Sequence, residues 1–193
     1  MKFLNANNKS FDKVLKSFLN KRKSKILSNS ISVAKIIRDI KKNGDKAVIK
    51  YEKRFNKNKT IIPTQKKISK SIISLDRKVK KAIDLAYKRI YKFHSLQKFK
   101  NIYYKDKFNN KLEYKYLPIE SVAIYVPGSK ASYPSTVLMN AIPALVAGVE
   151  RRILVSPVSD IKKSSIVLAA AHVANVTEFI CMGGAHAVAA LAY

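Results

Sequence analysis

The 193-residue chain is 47% hydrophobic and carries 39 lysines and arginines against 12 acids, a net charge of +27. That apolar content supports a real core in one large or two small domains and excludes a disordered chain. The longest nearly uninterrupted apolar run, residues 137–149, is too short to cross a membrane and contains Asn140 and Pro143, and the opening MKFLNANNKS lacks a signal peptide's apolar core, so the expected location is cytoplasmic.

The charge is uneven. The first 116 residues hold 34 of the basic residues and 8 of the acids. Such a surface suits nucleic acid or another anionic partner. Yet 32 of the 39 basic residues are lysine, which supplies point charges without the bidentate fork that reads phosphates and guanines. A solvated, lysine-drifted surface is the preferred reading, and nucleic acid is disfavoured as a partner.

This basic half reads mostly as helix, with apolar residues at three- and four-residue spacing over residues 11–19, 31–43, 45–55 and 79–97. Ile31, Ala34, Ile36, Ile37 and Ile40 form one face that Asn43-Gly44 ends as a left-handed cap, after which Asp45 is expected to cap the next helix. From Ile102 the period changes to alternation, with a turn signal at Asn109-Asn110, so two or three antiparallel strands are expected. Tyr103, Tyr114 and Tyr116 lie there at strand spacing. They suit a half-buried face better than a base-stacking one.

After Glu120 strands and helices alternate: strand 121–126, helix 135–147, strand 152–156, helix 164–174, strand 178–182, and a last helical run AHAVAALAY. Connected this way the strands should run parallel with right-handed crossovers, in a sheet covered on both faces because they are apolar throughout. Ser135 or Thr136 is expected to cap the first of these helices and Ser164 or Ser165 the second, while Pro143 should kink or break the first near Met139-Asn140. The fold class is therefore α/β. A basic, mostly helical domain with a β-hairpin (residues 1–120) precedes the first part of a Rossmann-like parallel βαβαβα unit (residues 121–193), which is incomplete.

The three strands end in Pro127-Gly128-Ser129, Ser156-Pro157 and Gly183-Gly184-Ala185. Ligands of parallel sheets sit outside the carboxyl ends of the strands, where loop amides and helix N-termini favour anionic groups. These turns are expected to form one rim, with Tyr125 and His186 the side chains best placed to reach into it. The alternatives are a core tyrosine and a polar cap histidine. Cys181 is the single cysteine and reads as a small buried strand residue; with His94, His172 and His186 scattered along the chain, it gives no metal-ligand spacing.

The stretch YVPGSKASYPSTVLMNAIPALVAGV, followed by ILVSP and MGGAHAVAALAY, resembles the histidinol dehydrogenases. KKNGDKAVIKYEKRFN and AYKRIYKFHSLQ are similar to that family's amino-terminal helices. The resemblance implies an aldehyde-dehydrogenase-like fold, a cytoplasmic homodimer, and NAD and zinc as cofactors. It also implies oxidation of L-histidinol to L-histidine through an aldehyde, the last steps of histidine biosynthesis, with hydrides passed in turn to two NAD molecules.

Site residues follow from the same resemblance. The strand tyrosine that contacts NAD matches Tyr125, and a second NAD contact, the glutamine of a Gly-Gly-Ala-Gln turn, falls on His186, with Pro127, Gly128, Gly183 and Gly184 lining the site. The family's Pro-Gly-Gly turn reads Pro127-Gly128-Ser129 here. A glutamine amide offers more hydrogen bonds than neutral imidazole, so His186→Gln is expected to tighten NAD binding. The family's zinc ligands and its glutamate-histidine acid/base pair match no position in these 193 residues, so no catalytic residue and no metal ligand is assigned. The chain is thus expected to be the amino-terminal half of the enzyme, active only with its carboxyl-terminal half. A non-catalytic remnant and a basic binding module are the competing readings.

Overall fold

The structure, a computed structural model, describes residues 10–56, 61–128, 132–158, 161 and 164–193. Helix α1 runs unbroken from Phe11 to Asn43, where two separate helices were expected. The intervening residues are mostly polar but contain neither proline nor glycine, so nothing stops the helix. Gly44, at φ 52°, ends it: its amide donates to the Ile40 carbonyl at 2.8 Å, and its own carbonyl accepts from Ala47 and Val48 to start α2 (Asp45–Phe55). Asp45 does not cap α2 as expected, because Gly44 holds the cap position with no side-chain bond and Asp45 falls in the first turn. Asp39 clamps the corner instead, accepting from Asn43 Nδ2 at 2.6 Å and Lys50 Nζ at 2.8 Å.

Helix α3 (Gln65–Ile73) was not foreseen; it turns Ile68 and Ile72 onto the core, and its buried Ser71 hydroxyl donates to the Ile161 carbonyl. Helix α4 (Arg77–Ser95) begins two residues earlier than predicted, because the Asp76 carboxylate accepts from the amides of Lys78 and Val79. Strands β1 (Ile102–Lys105) and β2 (Lys111–Tyr114) form the expected antiparallel hairpin. Asp106 closes its turn by accepting from Phe108 and Asn110, with Asn109 at φ 67°. Tyr103, Tyr114 and Tyr116 are exposed, so the half-buried face expected for them is absent: no other element covers the hairpin among the described residues.

Strands β3 (Ser121–Tyr125), β4 (Arg151–Val155) and β5 (Glu178–Ile180) make a parallel sheet in that order, joined by α5 (Pro134–Ala147) and α6 (Ser165–Val173) and followed by α7 (Ala185–Ala192). Tyr133, not Ser135 or Thr136, holds the α5 cap position, with Pro134 in the first turn; Ser164 takes that position on α6. Pro143 does not break α5, which stays helical on both sides of it, with Asn140 Nδ2 donating to the Thr136 carbonyl.

The period-two pattern sorts the sheet onto two cores. Ile124, Val126, Leu154, Phe179 and Cys181 face α3 to α6, while Ile153, Val155 and Met182 face α1, α2 and α7. Burying one such aliphatic side chain contributes about 1.5–3 kcal/mol, so Leu154, with no exposed surface, is a main anchor. The expected two-sided cover holds for β4 but not for β3, whose Ser121, Ala123 and Tyr125 are exposed. At the amino ends of the strands the buried Arg152 guanidinium donates to the carbonyls of Val149, Glu150 and Asn175, joining the loops before β4 and β5.

Candidate functional site

Three turns meet at the carboxyl ends of β3, β4 and β5, as the sequence pattern requires. The middle one, Ser156-Pro157, lies under both neighbours. A Cβ on Gly128 would stand 2.7 Å from Ser156 Oγ, and one on Gly183 would stand 2.3 Å from Pro157 Cβ. At Gly183 only glycine allows so close an approach, because the obstacle is the Pro157 ring and backbone. Ser129 lies outside the described residues.

Tyr125 is 38% exposed at the end of β3, and its hydroxyl accepts from the Gly184 amide at 3.1 Å. One side chain thus bridges the first turn and the third. Gly184 sits at φ 94°, ψ −174°, a conformation only glycine adopts without strain, and it starts α7 by accepting from Ala187 and Val188. The first-turn amides of α7 are therefore carried on a turn that presents no side chain. The Ser156 hydroxyl is fully buried beneath Gly128 and makes no hydrogen bond.

His186 is not where the sequence reading puts it. It is fully buried and turned from the rim into the layer between α2 and α7, where its Nε2 lies 2.7 Å from Glu52 Oε2. Asn56 Nδ2 donates to the same carboxylate oxygen at 2.8 Å and to the Gly183 carbonyl at 3.0 Å. Tyr51 and Phe55 pack on the imidazole at ring-centre distances of 6.0 and 5.8 Å. The physical reason is local: the apolar face of α2 (Val48, Tyr51, Phe55) includes one carboxylate, and a buried carboxylate requires a donor.

Sequence reasoning missed Glu52 and Asn56, and it placed Ser156 in the rim without foreseeing that its hydroxyl is buried. The first was detectable, as a lone acid at core spacing on a lysine-rich helix. Cys181 is buried as expected, just past β5; burial, then the Glu52 charge, pushes its thiol up to about 11. Among the described residues no group of three or more His, Cys, Asp or Glu could hold a metal ion. A cavity of about 360 Å³ lies between His94, Phe99, Leu117, Pro143 and Ala147, at the amino ends of the strands and so away from the rim.

The sequence profile described as histidinol dehydrogenase matches residues 19–193. The chain belongs to the histidinol dehydrogenase family. It is 64% identical to the histidinol dehydrogenase of Pelagibacter ubique (strain HTCC1062) across all of this chain and 45% of that protein. It is 39% identical to the histidinol dehydrogenase of Neisseria meningitidis serogroup B, again across the whole chain and 46% of the relative. The crystal structure of histidinol dehydrogenase from Elizabethkingia anophelis superposes with a TM-score of 0.75 at 31% identity, covering 83% of this chain and 38% of that one. The chain spans about half the length of the histidinol dehydrogenases it matches.

Proposed function

We propose that this chain is the NAD-holding, amino-terminal half of a histidinol dehydrogenase, a cytoplasmic homodimer in its complete form, which oxidises L-histidinol to L-histidine through the aldehyde. The observation that carries the reading is the rim itself: Tyr125, Gly128 and the Gly183-Gly184 turn converge where a parallel sheet binds its ligand. NAD bound there would supply the hydride acceptor. The glycines leave room for close backbone approach to its phosphates, the start of α7 offers amide donors, and Tyr125 offers a half-exposed ring fixed by the Gly184 amide. On this reading residues 121–193 carry the rim, and helices α1 to α4 of residues 1–120 join α5, α6 and α7 in covering the sheet.

Zinc is a different case. The described residues contain no ligand set that fits it, so no step on zinc is assigned to them. The acid/base pair and the metal are placed in the half of the relatives that this chain does not match.

Titration of the 193-residue chain with NAD, followed calorimetrically, tests the reading. The chain should bind NAD, Tyr125→Ala should weaken binding roughly tenfold, by loss of a hydrogen bond and an aromatic contact, and metal analysis should find no stoichiometric zinc. NAD binding that is absent, or indifferent to Tyr125→Ala, overturns the placement of the cofactor.

A further inference from the structure

Glu52 and His186 stand 134 positions apart in sequence and meet with side chains only 1% exposed. In chemical terms the contact is a carboxylate accepting from an imidazole N–H, with Asn56 donating to the same oxygen. Burying such a pair contributes little net stability against an apolar pair of equal volume, whereas removing one partner is costly. Its effect is geometric, since both partners must take one relative position.

That position matters because of what lies beside it. Gly183 and Gly184 have no side chains of their own to hold them. On one side Asn56 holds the Gly183 carbonyl and His186 anchors the first turn of α7; on the other the Gly184 amide reaches Tyr125. Pro157 blocks movement of Gly183 towards β4. We propose that Glu52, Asn56 and His186 are positioning residues, a buried latch from α2 that sets the Gly183-Gly184 turn against Tyr125 and so fixes the cofactor rim. This rests on the reading of that rim as the NAD site. It also removes the ground for expecting His186→Gln to tighten NAD binding, because the side chain faces Glu52 and not the rim.

The test uses the 193-residue chain and four variants: Glu52→Leu, His186→Leu, His186→Gln and Asn56→Ala. Two readouts are followed, NAD affinity by calorimetry and amide hydrogen exchange of Gly184 by NMR, with the Leu154 amide in β4 as internal reference. His186→Leu should accelerate Gly184 exchange about tenfold more than Leu154 exchange and weaken NAD roughly three- to tenfold. His186→Gln, whose amide N–H can still donate to the Glu52 carboxylate, should keep both within about twofold of the parent. Should the leucine variants at the pair fail to fold, Asn56→Ala, which is only part-buried, carries the two expectations stated for His186→Leu. Exchange that rises equally at Gly184 and Leu154, or NAD affinity unchanged while Gly184 exchange rises, reduces the latch to a packing element and overturns the proposal. If the parent chain binds no NAD, the cofactor reading fails, and selective Gly184 exchange still decides whether the latch sets the turn.

Discussion

Replacing Gly183 by alanine adds a Cβ 2.3 Å from Pro157 Cβ, 2.8 Å from its Cγ and 3.2 Å from its Cα. The obstacle is a rigid ring whose backbone is held by the Val158 amide on the Ser156 carbonyl at 2.8 Å, so the β5–α7 turn has to move. Overpacking of this kind costs about 1–3 kcal/mol. Movement of the turn also strains the Asn56 bond to the Gly183 carbonyl, adding about 1 kcal/mol. Against this, alanine restricts the unfolded chain and returns about 0.4–1 kcal/mol. The net loss is about 1–3.5 kcal/mol, which for a chain of this size lowers Tm by roughly 2–14 °C. Gly128→Ala is the control. Its Cβ meets only Ser156 Oγ at 2.7 Å, the tip of a side chain with no hydrogen bond to lose, so it should melt within a few degrees of the parent. Differential scanning calorimetry of both variants decides. Equal melting temperatures, or a larger loss for Gly128→Ala, would refute the view that Pro157 is the wedge between the turns.

Asp39 is held down at about 2, first by Lys50, then by Asn43 and Tyr51, from an ordinary 3.8; its contribution is present above pH 4 and disappears as pH falls towards 2. The stability difference between the parent and Asp39→Asn, read from urea melts, should therefore shrink between pH 4 and pH 2, and a constant difference would contradict the clamp at the α1–α2 corner. With its thiol pushed up to about 11, Cys181 should be protonated at pH 8 as well as buried. A thiol reagent should label it only on unfolding, and native-state labelling at the rate of a free thiol would show that β5 and α7 open together. Arg152→Lys loses the fork that serves the Val149, Glu150 and Asn175 carbonyls, and about 2–4 kcal/mol of stability should go with it; a loss under about 0.5 kcal/mol would mean water replaces those bonds.

The alternating carboxyl-terminal part was legible because each of its signals is local. Apolar strands, small-residue helices and Pro or Gly at the strand ends together specify a parallel βαβαβα run, and β3, α5, β4, α6, β5 and α7 all lie within a few residues of their predicted bounds. Errors arose where tertiary context decides. Helix α3 is short and lysine-rich, and it is stabilised by packing Ile68 and Ile72 under α6, which no local pattern reports. Pro143 removes a single bond from an otherwise buried helix, so packing of Val137, Leu138, Ala141 and Ile142 keeps α5 intact across it. The cap assignments at Ser135, Thr136 and Asp45 failed for a simpler reason: these are suitable cap types, but α5 already starts at Pro134 and α2 at Asp45 itself, with Tyr133 and Gly44 in the cap positions.

At the site the backbone was readable and the side-chain direction was not. Glycines and prolines state where chain must pass close to chain, and that placed Gly128, Pro157 and Gly183 in one cluster. Which way a helix-start residue points depends on what the neighbouring element offers it, and for His186 that neighbour is Glu52, on a helix far earlier in the sequence. Judged alone, a histidine where the resemblance implies a glutamine looks like loss of a ligand contact and counts towards a decaying enzyme. Judged with Glu52 and Asn56 it has a partner, a stacking surface and a connection to Gly183. A chain under no constraint would not be expected to keep an acid buried at a core position with its hydrogen-bond partner in place, since either residue alone is destabilising by about 3–5 kcal/mol. The paired presence of both therefore weighs against decay as the explanation of His186.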